Sequence, residues 1–475
     1  MVDEHLVALE AAISRGGFLS GPDIGARYHT DTFGRSVAAP EVVLRPANTE
    51  ELSRVLKICH ANGLAVIPQG GMTGLVSAAL PRSGEIVVSL ERMNRILEVD
   101  RAAATMVVEA GAILQTVQER ADIEGLMFPL DLASRGSATI GGNIATNAGG
   151  NMVVRYGMMR ELVLGVEAVM ANGTVVDSMF HYVKNNTGYD VKQYFIGTEG
   201  TLGIVTKAVL RLWPRPTERA VAFCSFLTFP DVITFLSQMR SALEGRLVAF
   251  EAMWESYYGL ATALPGIRLP LSPGKPFYVL VEAASASHGG AVSLLESTLG
   301  QALSDGTLDD AVIAKSDAQA RSMWHVRESA LEVVGLRRPF VSFDVSLRLD
   351  KMESYVADVQ RQASSVCADA FVSTIGHLGD GNLHVAIHYT ASDEDMTHRI
   401  KALFYRVTGD YRGSISAEHG IGIDKREYLH YSRSKSEIAL MTAVKRALDP
   451  KNILSPGRIF DISDDVAVPY LDQLK

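Results

Sequence analysis

Two histidines bracket a glycine-rich turn in the segment IGHLGDGNLHVAIH. If this segment folds as strand, turn and strand with residues 379–382 as the loop, His377 and His384 face each other and their Cβ atoms lie ~4.5–5.5 Å apart. Two imidazoles in that position can share one metal ion, and the segment ISAEHGIG adds Glu418 beside His419. Two histidines and one carboxylate form a ligand set that leaves positions open for a substrate.

The histidine pair allows a second interpretation, because paired histidines on a half-buried sheet also occur as ordinary hydrogen-bonded polar groups. For an isolated pair this second interpretation is the more common one, and the glycine-bracketed turn and the neighbouring acid-histidine pair shift the balance towards a metal site. His388 lies four residues beyond His384, and we expect it to be an ordinary residue of the sheet.

Two glycine-rich stretches have the composition of ligand-binding loops. The first, VIPQGGMTGL, does not match the GxGxxG fingerprint of a Rossmann nicotinamide site. The second, PLDLASRGSATIGGNIATNAGG, offers backbone N–H groups to a pyrophosphate, and its glycines leave room for close approach. A flexible linker is the alternative, but embedded apolar residues such as Leu130 and Ile140 argue against it. We therefore expect the second stretch to cradle a phosphate-bearing ligand.

The elements that must hold these residues alternate between strand and helix. The stretch PEVVLRPANTEELSRVLKICHANGLAVIPQGG reads as strand, helix and strand, with Asn48 as N-cap and Glu51 completing a capping-box pattern. Asn172 and Gly173 lie between two apolar runs and predict a hairpin. The prolines of RLWPRP then break the strand pattern, which predicts a domain boundary there.

Beyond that boundary the pattern changes to longer strands, such as RLVAFEAM and PFYVLVEAA, which alternate with helical stretches. This order predicts a second α+β sheet. A last helix, within SEIALMTAVKRALDP, is expected to end at Pro450.

Composition narrows the class of protein. The chain has 475 residues, 47% of them apolar, which is enough for two or three packed domains. A net charge of -9 makes nucleic acid an unfavourable partner. The three cysteines are far apart and fit a reducing cytoplasm, and no apolar run reaches the ~20 residues of a transmembrane segment. We expect a cytoplasmic protein.

Three segments together carry a resemblance to a known family: PQGGMTGL, GSATIGGNIATNAGG with the following RYG, and GTEGTLGIVT. From about Pro40 to Phe460 the chain resembles the FAD-linked D-2-hydroxyacid dehydrogenases (D-lactate, D-2-hydroxyglutarate and glycolate dehydrogenases) of the vanillyl-alcohol-oxidase or PCMH type. The resemblance implies an α+β fold. It places an FAD-binding domain of two α/β subdomains over 1–215, a substrate- and metal-binding cap domain with a central antiparallel sheet over 216–424, and a helical segment over 425–475 that returns to the FAD domain.

The resemblance also implies which residues line the FAD. They are Pro68, Gln69, Gly70, Gly71, Met72, Thr73, Gly74, Leu75, Pro129, Ser134, Gly136, Ser137, Gly141, Gly142, Asn143, Thr146, Ile204, Val205 and Asn452. Relatives that hold the flavin covalently at the first loop have a histidine near the position of Met72. Its absence implies FAD bound without a covalent link.

The same resemblance assigns roles to the motif residues. His377, His384 and Glu418 are implied to bind a divalent metal ion, zinc or manganese, and His419 to act as the base. Arg327, in SMWHVRES on a predicted helix, is implied to bind the substrate carboxylate, for which a guanidinium is suited. A solvated helix arginine is the alternative. The implied reaction is hydride transfer from a D-2-hydroxy acid to FAD, with the metal lowering the pKa of the hydroxyl group.

Departures from the family pattern bear on the substrate. Members specific for 2-hydroxyglutarate have lysine, threonine and asparagine where this chain has Ser342, Leu331 and Ala386. A second substrate carboxylate would lack polar partners, and an unpaired buried charge is unfavourable. We therefore expect a monocarboxylate such as D-lactate, unless Arg337 or Arg338 reaches the pocket.

The sequence is compatible with several partners and with more than one function. The expected partners are a small 2-hydroxy acid and an electron acceptor, namely an electron-transfer flavoprotein, a quinone or a cytochrome, and a homodimer is compatible with the sequence. The alternatives are a D-2-hydroxyglutarate dehydrogenase, a flavin oxidase that uses oxygen, and a non-catalytic protein that binds flavin and metal.

Overall fold

The computed structural model describes residues 4–287, 290–390 and 394–462. Its α-helices are α1 (Glu4–Ala11), α2 (Thr49–Asn62), α3 (Leu114–Ile123), α4 (Ile140–Thr146), α5 (Val153–Tyr156), α6 (Met159–Leu162), α7 (Phe229–Ala242), α8 (Glu255–Ala261), α9 (Ala291–Ser304), α10 (Asp317–Glu328), α11 (Ala330–Gly335), α12 (Met352–Val366), α13 (Glu394–Asp410) and α14 (Lys435–Leu448).

The strands are β1 (Phe18–Ser20), β2 (Val42–Leu44), β3 (Val66–Gln69), β4 (Ile86–Ser89), β5 (Ile96–Asp100), β6 (Thr105–Glu109), β7 (Leu126–Met127), β8 (Val163–Val169), β9 (Val175–Ser178), β10 (Ile204–Arg211), β11 (Trp213–Pro214), β12 (Glu218–Phe226), β13 (Leu247–Trp254), β14 (Phe277–Ser285), β15 (Asp310–Ile313), β16 (Phe340–Ser346), β17 (Phe371–His377) and β18 (Asn382–His388). Short 3-10 helices occur at Gly21–Asp23, Ala26–Tyr28, Val191–Tyr194, Leu349–Lys351 and Arg426–Tyr431.

The chain divides into two compact units. The first comprises Met1–Gly149, Met158–Pro214 and Glu418–Lys475, and the second comprises Gly150–Gly157 and Arg215–Ala417. This division departs from the boundaries expected from the sequence in two places. The short helix α5 belongs to the second unit because it packs against β13. The C-terminal part of the first unit begins at Glu418 rather than at residue 425.

The first unit contains two main sheets. One has the order β1-β2-β4-β3, with β2, β4 and β3 parallel, and the other is antiparallel with the order β5-β6-β10-β8-β9. The predicted strand-helix-strand unit is confirmed as β2, α2 and β3. Asn48 caps α2 by accepting a hydrogen bond from the N–H of Glu51, whose own carboxylate accepts from the N–H of Ala47. The predicted hairpin at Asn172 and Gly173 joins β8 to β9.

The second unit is built on a seven-stranded sheet with the order β15-β12-β14-β13-β17-β18-β16, in which every pair is antiparallel. This confirms the second α+β sheet predicted from the sequence. One face of the sheet contributes Phe223, Met253 and Tyr278 to a core that also contains Tyr258 of α8 and Val326 of α10. The chemistry-bearing side chains described below lie on this same face, because residues two apart in a strand point the same way.

Two further features concern the described residues as a whole. No α-helix among them combines the length and the apolar character needed to cross a membrane. Cys59, Cys224 and Cys367 are all free and buried, as expected for structural thiols. The compartment stays a prediction.

Candidate functional site

The hairpin that carries the two histidines has a different register from the predicted one. β17 ends at His377 and β18 begins at Asn382, so the loop comprises residues 378–381. His384 pairs with Ile375, and the predicted direct pairing of the two histidines is therefore wrong. The shift preserves the face of the sheet on which both imidazoles lie, and their ring centroids are 5.2 Å apart.

Contacts outside the hairpin explain the shifted loop. Leu378 is completely buried, and the N–H of Gly379 donates a hydrogen bond of 3.2 Å to the carbonyl of Phe250 on β13. Gly381 has φ of 88°, in the left-handed region that favours glycine, and its carbonyl accepts from the N–H of Leu347. The loop is therefore bonded to neighbouring chain segments.

A buried carboxylate joins the first histidine to the predicted substrate arginine. Glu251 lies on β13 directly opposite His377. Its Oε1 is 2.8 Å from Nδ1 of His377, and its Oε2 accepts a hydrogen bond of 2.8 Å from Nε of Arg327. Nη2 of Arg327 lies 3.1 Å from Nε2 of His377. Two residues predicted from separate motifs thus form one cluster, held together by a glutamate that the sequence analysis did not identify.

The surroundings keep Glu251 ionised. Burial by itself raises the pKa of this carboxyl, but the charges and hydrogen bonds of His377 and Arg327 outweigh burial and bring the pKa below its ordinary value. An ionised carboxylate only accepts hydrogen bonds, so Nδ1 of His377 carries a proton, and when this imidazole is neutral its lone pair is on Nε2. That tautomer is the one required of a histidine that binds a metal through Nε2.

A second buried carboxylate lies beside the other histidine. Asp344 on β16 is completely buried and pairs directly with His384. Its Oδ1 accepts from the side-chain amide of Asn382 at 2.8 Å, and its Oδ2 accepts from the N–H of Ala417 at 3.1 Å. This hydrogen bond holds Ala417, the last residue of the second unit.

The donor set of the second unit suits a divalent transition metal ion. Two imidazoles share one sheet face, and a carboxylate holds the proton of the first on Nδ1, an arrangement typical of zinc-binding histidines. The remaining predicted residues, Glu418 and His419, are partly exposed and stand at the start of the last segment of the first unit.

Arg327 lies in the last turn of α10, so its predicted helical position is confirmed. The end of this helix is held by Tyr257, whose hydroxyl donates to the carbonyl of Val326 at 2.8 Å. Arg327 is only 7% exposed, which contradicts the alternative of a solvated helix arginine. Within the part of the chain that the structure describes, its Nη1 has no hydrogen-bond partner. This nitrogen is the donor available for a ligand carboxylate.

The positions that depart from the hydroxyglutarate pattern do not all lie together. Ser342 and Ala386 pair directly across β16 and β18, and Ser373 of β17 lies on the other side of Ala386. This row of small residues lies on the same face as His384 and next to it along β18. Leu331, by contrast, is 66% exposed on α11.

The next row of side chains on the same face consists of Phe340, His388 and Phe371, with His388 between the two phenylalanines. Two arginines lie beside this row. The guanidinium carbon of Arg337 is 4.3 Å from the centroid of the Phe371 ring, and that of Arg338 is 5.8 Å from the centroid of the Phe340 ring. Arg338 and Phe340 line an open cavity of about 480 Å³. Two cations therefore lie within one row of the small residues.

His388 is a structural residue, as expected. It is 2% exposed, its Nδ1 lies 2.7 Å from the carbonyl oxygen of Arg337, and its Nε2 lies 2.9 Å from Oγ of Ser373. A carbonyl only accepts, so Nδ1 is the protonated nitrogen and Nε2 accepts from the serine hydroxyl.

In the first unit, the glycines of the first two predicted flavin segments permit backbone approaches that a side chain would block. A Cβ atom on Gly70 would lie 2.3 Å from Oγ1 of Thr139, and one on Gly71 would lie 1.9 Å from the carbonyl oxygen of Ser137. The third segment joins them: the N–H of Gly197 donates to the carbonyl of Ile144 at 2.9 Å. All three predicted segments therefore converge.

The C-terminal segment around Ile453 also lies beside the first glycine-rich segment. The carbonyl of Ile453 accepts from the N–H of Val66, and the N–H of Ser455 donates to the carbonyl of Val66, so this segment lies along β3, which leads into the first glycine loop. Asn452 directly precedes this pairing and has φ of 49°.

Unsatisfied polar atoms test whether a dinucleotide fits here. Oε1 of Gln69, Nδ2 of Asn143 and Oδ1 of Asn452 are buried without a hydrogen-bond partner among the described residues. Each belongs to one of the converging segments. Buried polar groups are normally paired, so these atoms fit a bound polar ligand such as FAD.

The remaining predicted flavin residues lie around these contacts. Ile204 and Val205 are buried at the start of β10, and Gly141, Gly142, Asn143 and Thr146 lie in α4. The carbonyl of Ser134 accepts a hydrogen bond from the N–H of Ser137, next to Gly136. Met72 has φ of 56°, in the left-handed region. Arg35 donates to the carbonyl of Leu75. Thr73, Gly74 and Pro129 form no hydrogen bond with the residues that the structure describes. The structure therefore does not tie these three to the other segments.

Glu199 of the GTEGTLG segment anchors the turn that follows His419. Its two carboxylate oxygens accept from the N–H groups of Ile421 at 2.7 Å and Gly422 at 2.8 Å. Burial raises the pKa of this carboxyl above its ordinary value, although the two N–H groups and Lys425 act in the opposite direction. One side chain thus links a predicted flavin segment to the segment that carries the predicted base.

Sequence reasoning missed Glu251, Asp344 and Glu199. A usable signal existed for the first two, because each is the single charged residue in its strand segment, VAFEAMW and VSFDVS. Such acids are almost never fully buried unless they are paired. Glu199 gave no such signal, since it lies in a loop.

Comparisons with known proteins cover both parts of the chain. The family described as FAD linked oxidases, C-terminal domain, matches residues 215–459, and the family described as FAD binding domain matches residues 40–178. The chain is 38% identical over 432 residues to the mitochondrial D-2-hydroxyglutarate dehydrogenase of Arabidopsis thaliana, which covers 91% of this chain and 77% of the relative. It is 36% identical to the D-2-hydroxyglutarate dehydrogenase of Xanthomonas citri pv. viticola, with 98% of each chain covered.

Solved structures share the fold at low identity. p-Cresol methylhydroxylase with substrate bound is similar with a TM-score of 0.78 and 17% identity over 97% of both chains. An alkyldihydroxyacetonephosphate synthase is similar with a TM-score of 0.74 and 18% identity, covering 96% of this chain and 86% of the other. The predicted α+β organisation with a PCMH-type FAD-binding fold is confirmed.

Proposed function

Because the chain belongs to the FAD-linked oxidase family, we propose that it is an FAD-dependent dehydrogenase that oxidises a D-2-hydroxy acid to the 2-oxo acid. The curated relatives support this class, since those cited above are named D-2-hydroxyglutarate dehydrogenases. The PCMH-type FAD-binding fold provides the binding site for the FAD cofactor.

The observation that carries the proposal is the cluster of Glu251, His377 and Arg327. It puts a cation suited to a carboxylate 3.1 Å from an imidazole whose tautomer is that of a metal ligand. A second imidazole, His384, lies on the same sheet face. A 2-hydroxy acid carries a carboxylate and a hydroxyl on adjacent carbons, and the cluster offers a separate recognition group for each.

We assign the metal site to His377, His384 and Glu418, with zinc or manganese as the ion. When bound, such an ion lowers the pKa of a coordinated hydroxyl and orients it. His419 follows Glu418 in the chain, and we assign it the role of base, since a neutral imidazole is the usual proton acceptor in enzymes. Arg327 holds the substrate carboxylate through Nη1. The converging glycine-rich segments of the first unit would hold FAD, which would supply a hydride acceptor for the substrate carbon.

We further propose that the preferred substrate is a monocarboxylate such as D-lactate. The row formed by Ser342, Ala386 and Ser373 offers two hydroxyls and no charge near His384, and the Ser373 hydroxyl already bonds to His388. A second carboxylate placed there would be incompletely paired.

D-2-Hydroxyglutarate remains the second candidate, and two observations favour it. The relatives at 38% and 36% identity bear that substrate in their names. Arg337 and Arg338 lie on the rings of the neighbouring row, where a distal carboxylate could pair with a guanidinium.

Steady-state kinetics with an artificial electron acceptor test this choice. We expect kcat/KM to be at least about tenfold higher for D-lactate than for D-2-hydroxyglutarate, which corresponds to ~1.4 kcal/mol. If D-2-hydroxyglutarate proves the better substrate, the variants Arg337→Ala and Arg338→Ala identify which arginine compensates. Hydrogen peroxide formed in stoichiometric amounts would instead identify an oxidase.

A further inference from the structure

We propose that Glu251 is a positioning residue that sets both the tautomer of the metal-binding His377 and the orientation of Arg327. The inference rests on the proposed function, because it concerns the same site. It goes further in tying metal affinity and substrate binding to a residue that belongs to neither set of ligands.

The geometry supports a shared role. One oxygen of Glu251 lies 2.8 Å from Nδ1 of His377, and the other accepts a hydrogen bond of 2.8 Å from Nε of Arg327. Glu251 is 1% exposed, so water does not compete for either oxygen. Nη1 of Arg327 has no hydrogen-bond partner among the described residues, and Nη2 of Arg327 lies 3.1 Å from Nε2 of His377, the nitrogen that we assign to the metal ion.

The chemistry requires a carboxylate in this position. His377 and Arg327 both present N–H donors to Glu251, so two acceptors are needed. Glutamine has the same shape but offers one acceptor oxygen and one NH2 group. Its oxygen would pair with the charged guanidinium, since charge-assisted hydrogen bonds are the stronger ones. The NH2 group would then face Nδ1 of His377, drive the proton to Nε2 and block the lone pair that binds the metal.

A matched control lies two strands away from β17. Glu282 on β14 is 2% exposed, accepts two hydrogen bonds of 2.8 Å from Arg219, and accepts one of 2.7 Å from the ring N–H of Trp324. It therefore resembles Glu251 in burial and in its partners, a guanidinium and a ring nitrogen, but it does not contact His377. Glu282→Gln measures the general cost of losing a buried carboxylate on this face.

The experiment compares wild-type protein, Glu251→Gln and Glu282→Gln, each as the full chain with FAD. Metal is removed with a chelator, the apo-metal proteins are titrated with Zn²⁺ alone or Mn²⁺ alone, and the dissociation constant is measured by competition with a chromogenic chelator. We expect the metal dissociation constant of Glu251→Gln to rise about 10- to 100-fold, and that of Glu282→Gln to stay within about twofold of wild type. The activity of Glu251→Gln should also rise with added metal beyond the concentration that saturates the wild type.

Three outcomes overturn the inference in distinguishable ways. Equal metal affinity in Glu251→Gln and wild type shows that Glu251 is only a structural ion-pair partner, while the proposed metal site stands. An equal loss in both variants shows general damage to the sheet face. A wild-type protein that binds neither ion overturns the metal site itself, and the role of Glu251 with it.

Discussion

Gly71 lies so close to the carbonyl of Ser137 that a Cβ atom at position 71 would stand 1.9 Å from that oxygen. These residues come from two different glycine-rich segments, and the contact brings the segments together. A backbone carbonyl cannot move away as the end of a flexible side chain can. The identity of residue 71 therefore controls the packing of the two segments that we expect to hold FAD.

Gly71→Ala should therefore lose FAD. The added methyl group forces the two segments apart, and we expect the fraction of purified protein that carries FAD to fall at least about tenfold. Flavin absorbance relative to protein absorbance measures this fraction. Gly300→Ala, in the helix α9 where a Cβ meets nothing within 4 Å, is the control and should retain full flavin. Full flavin occupancy in Gly71→Ala would refute the close contact.

The flavin should be released without breaking a covalent bond. Met72 stands near the position at which resembling proteins with covalently linked flavin carry a histidine, and a thioether does not form that link. Acid precipitation of the protein should leave all flavin in the supernatant. Flavin that stays with the washed pellet would show a covalent link at another residue.

Lys445→Met should destabilise the first unit. The buried ammonium of Lys445 donates to Asp449 and to the carbonyls of Thr201 and Leu454, so it joins α14 to the third glycine segment and to the C-terminal segment. Its removal leaves the buried carboxylate of Asp449 without its cation, at a cost of about 3–5 kcal/mol. Urea unfolding followed by flavin fluorescence measures the change.

The exposed lysine at the start of the same helix provides the comparison for that measurement. Lys435→Met should change the free energy of unfolding by less than about 0.5 kcal/mol. Equal effects of the two substitutions would mean that the buried ion pair does not stabilise the unit.

His388 should make stability depend on pH. Burial lowers its pKa below the ordinary value of about 6.5, and the nearby charge of Arg337 acts in the same direction, while the hydrogen bond to the Arg337 carbonyl opposes them. The folded state thus binds this proton less readily than the unfolded state. The stability that results is fully present above the unfolded pKa and is lost as pH falls through the folded pKa.

The variant His388→Asn tests that linkage. Asparagine can still donate to the carbonyl of Arg337 but does not titrate, so the melting temperature should fall less steeply between about pH 7 and about pH 5 than in wild type. The surrounding groups, Ser373, Phe340 and Phe371, do not titrate in this range. An unchanged slope would assign the pH dependence to other residues.

Local features of the fold were predictable from the sequence, and long-range ones were not. The cap of α2 involves Asn48 and Glu51, three residues apart, so the sequence pattern contained all of its hydrogen bonds. The glycine spacing likewise predicted the histidine turn and the common face of His377 and His384. The register was missed because it depends on hydrogen bonds to Phe250 and Leu347, which are distant in sequence.

In the candidate site, too, local features were predictable from the sequence and long-range contacts were not. Motif resemblance pointed to Arg327 and His377, but nothing in the spacing of the two motifs indicated that they meet at Glu251. That meeting depends on the pairing of β13 with β17 and on the packing of α10 against the sheet, which only the folded chain contains. Buried acids in apolar strands are the signal that would have drawn attention to this residue.

The proposed metal-dependent oxidation of a D-2-hydroxy acid is measured by anaerobic titration of the protein's visible flavin absorbance with D-2-hydroxy acids, performed on metal-replete and metal-depleted protein in parallel. We expect D-lactate to bleach the flavin of the replete protein, L-lactate to leave it oxidised, and metal removal to slow bleaching at least about 100-fold. Flavin that no D-2-hydroxy acid reduces, or that is reduced equally fast without metal, would contradict the proposal.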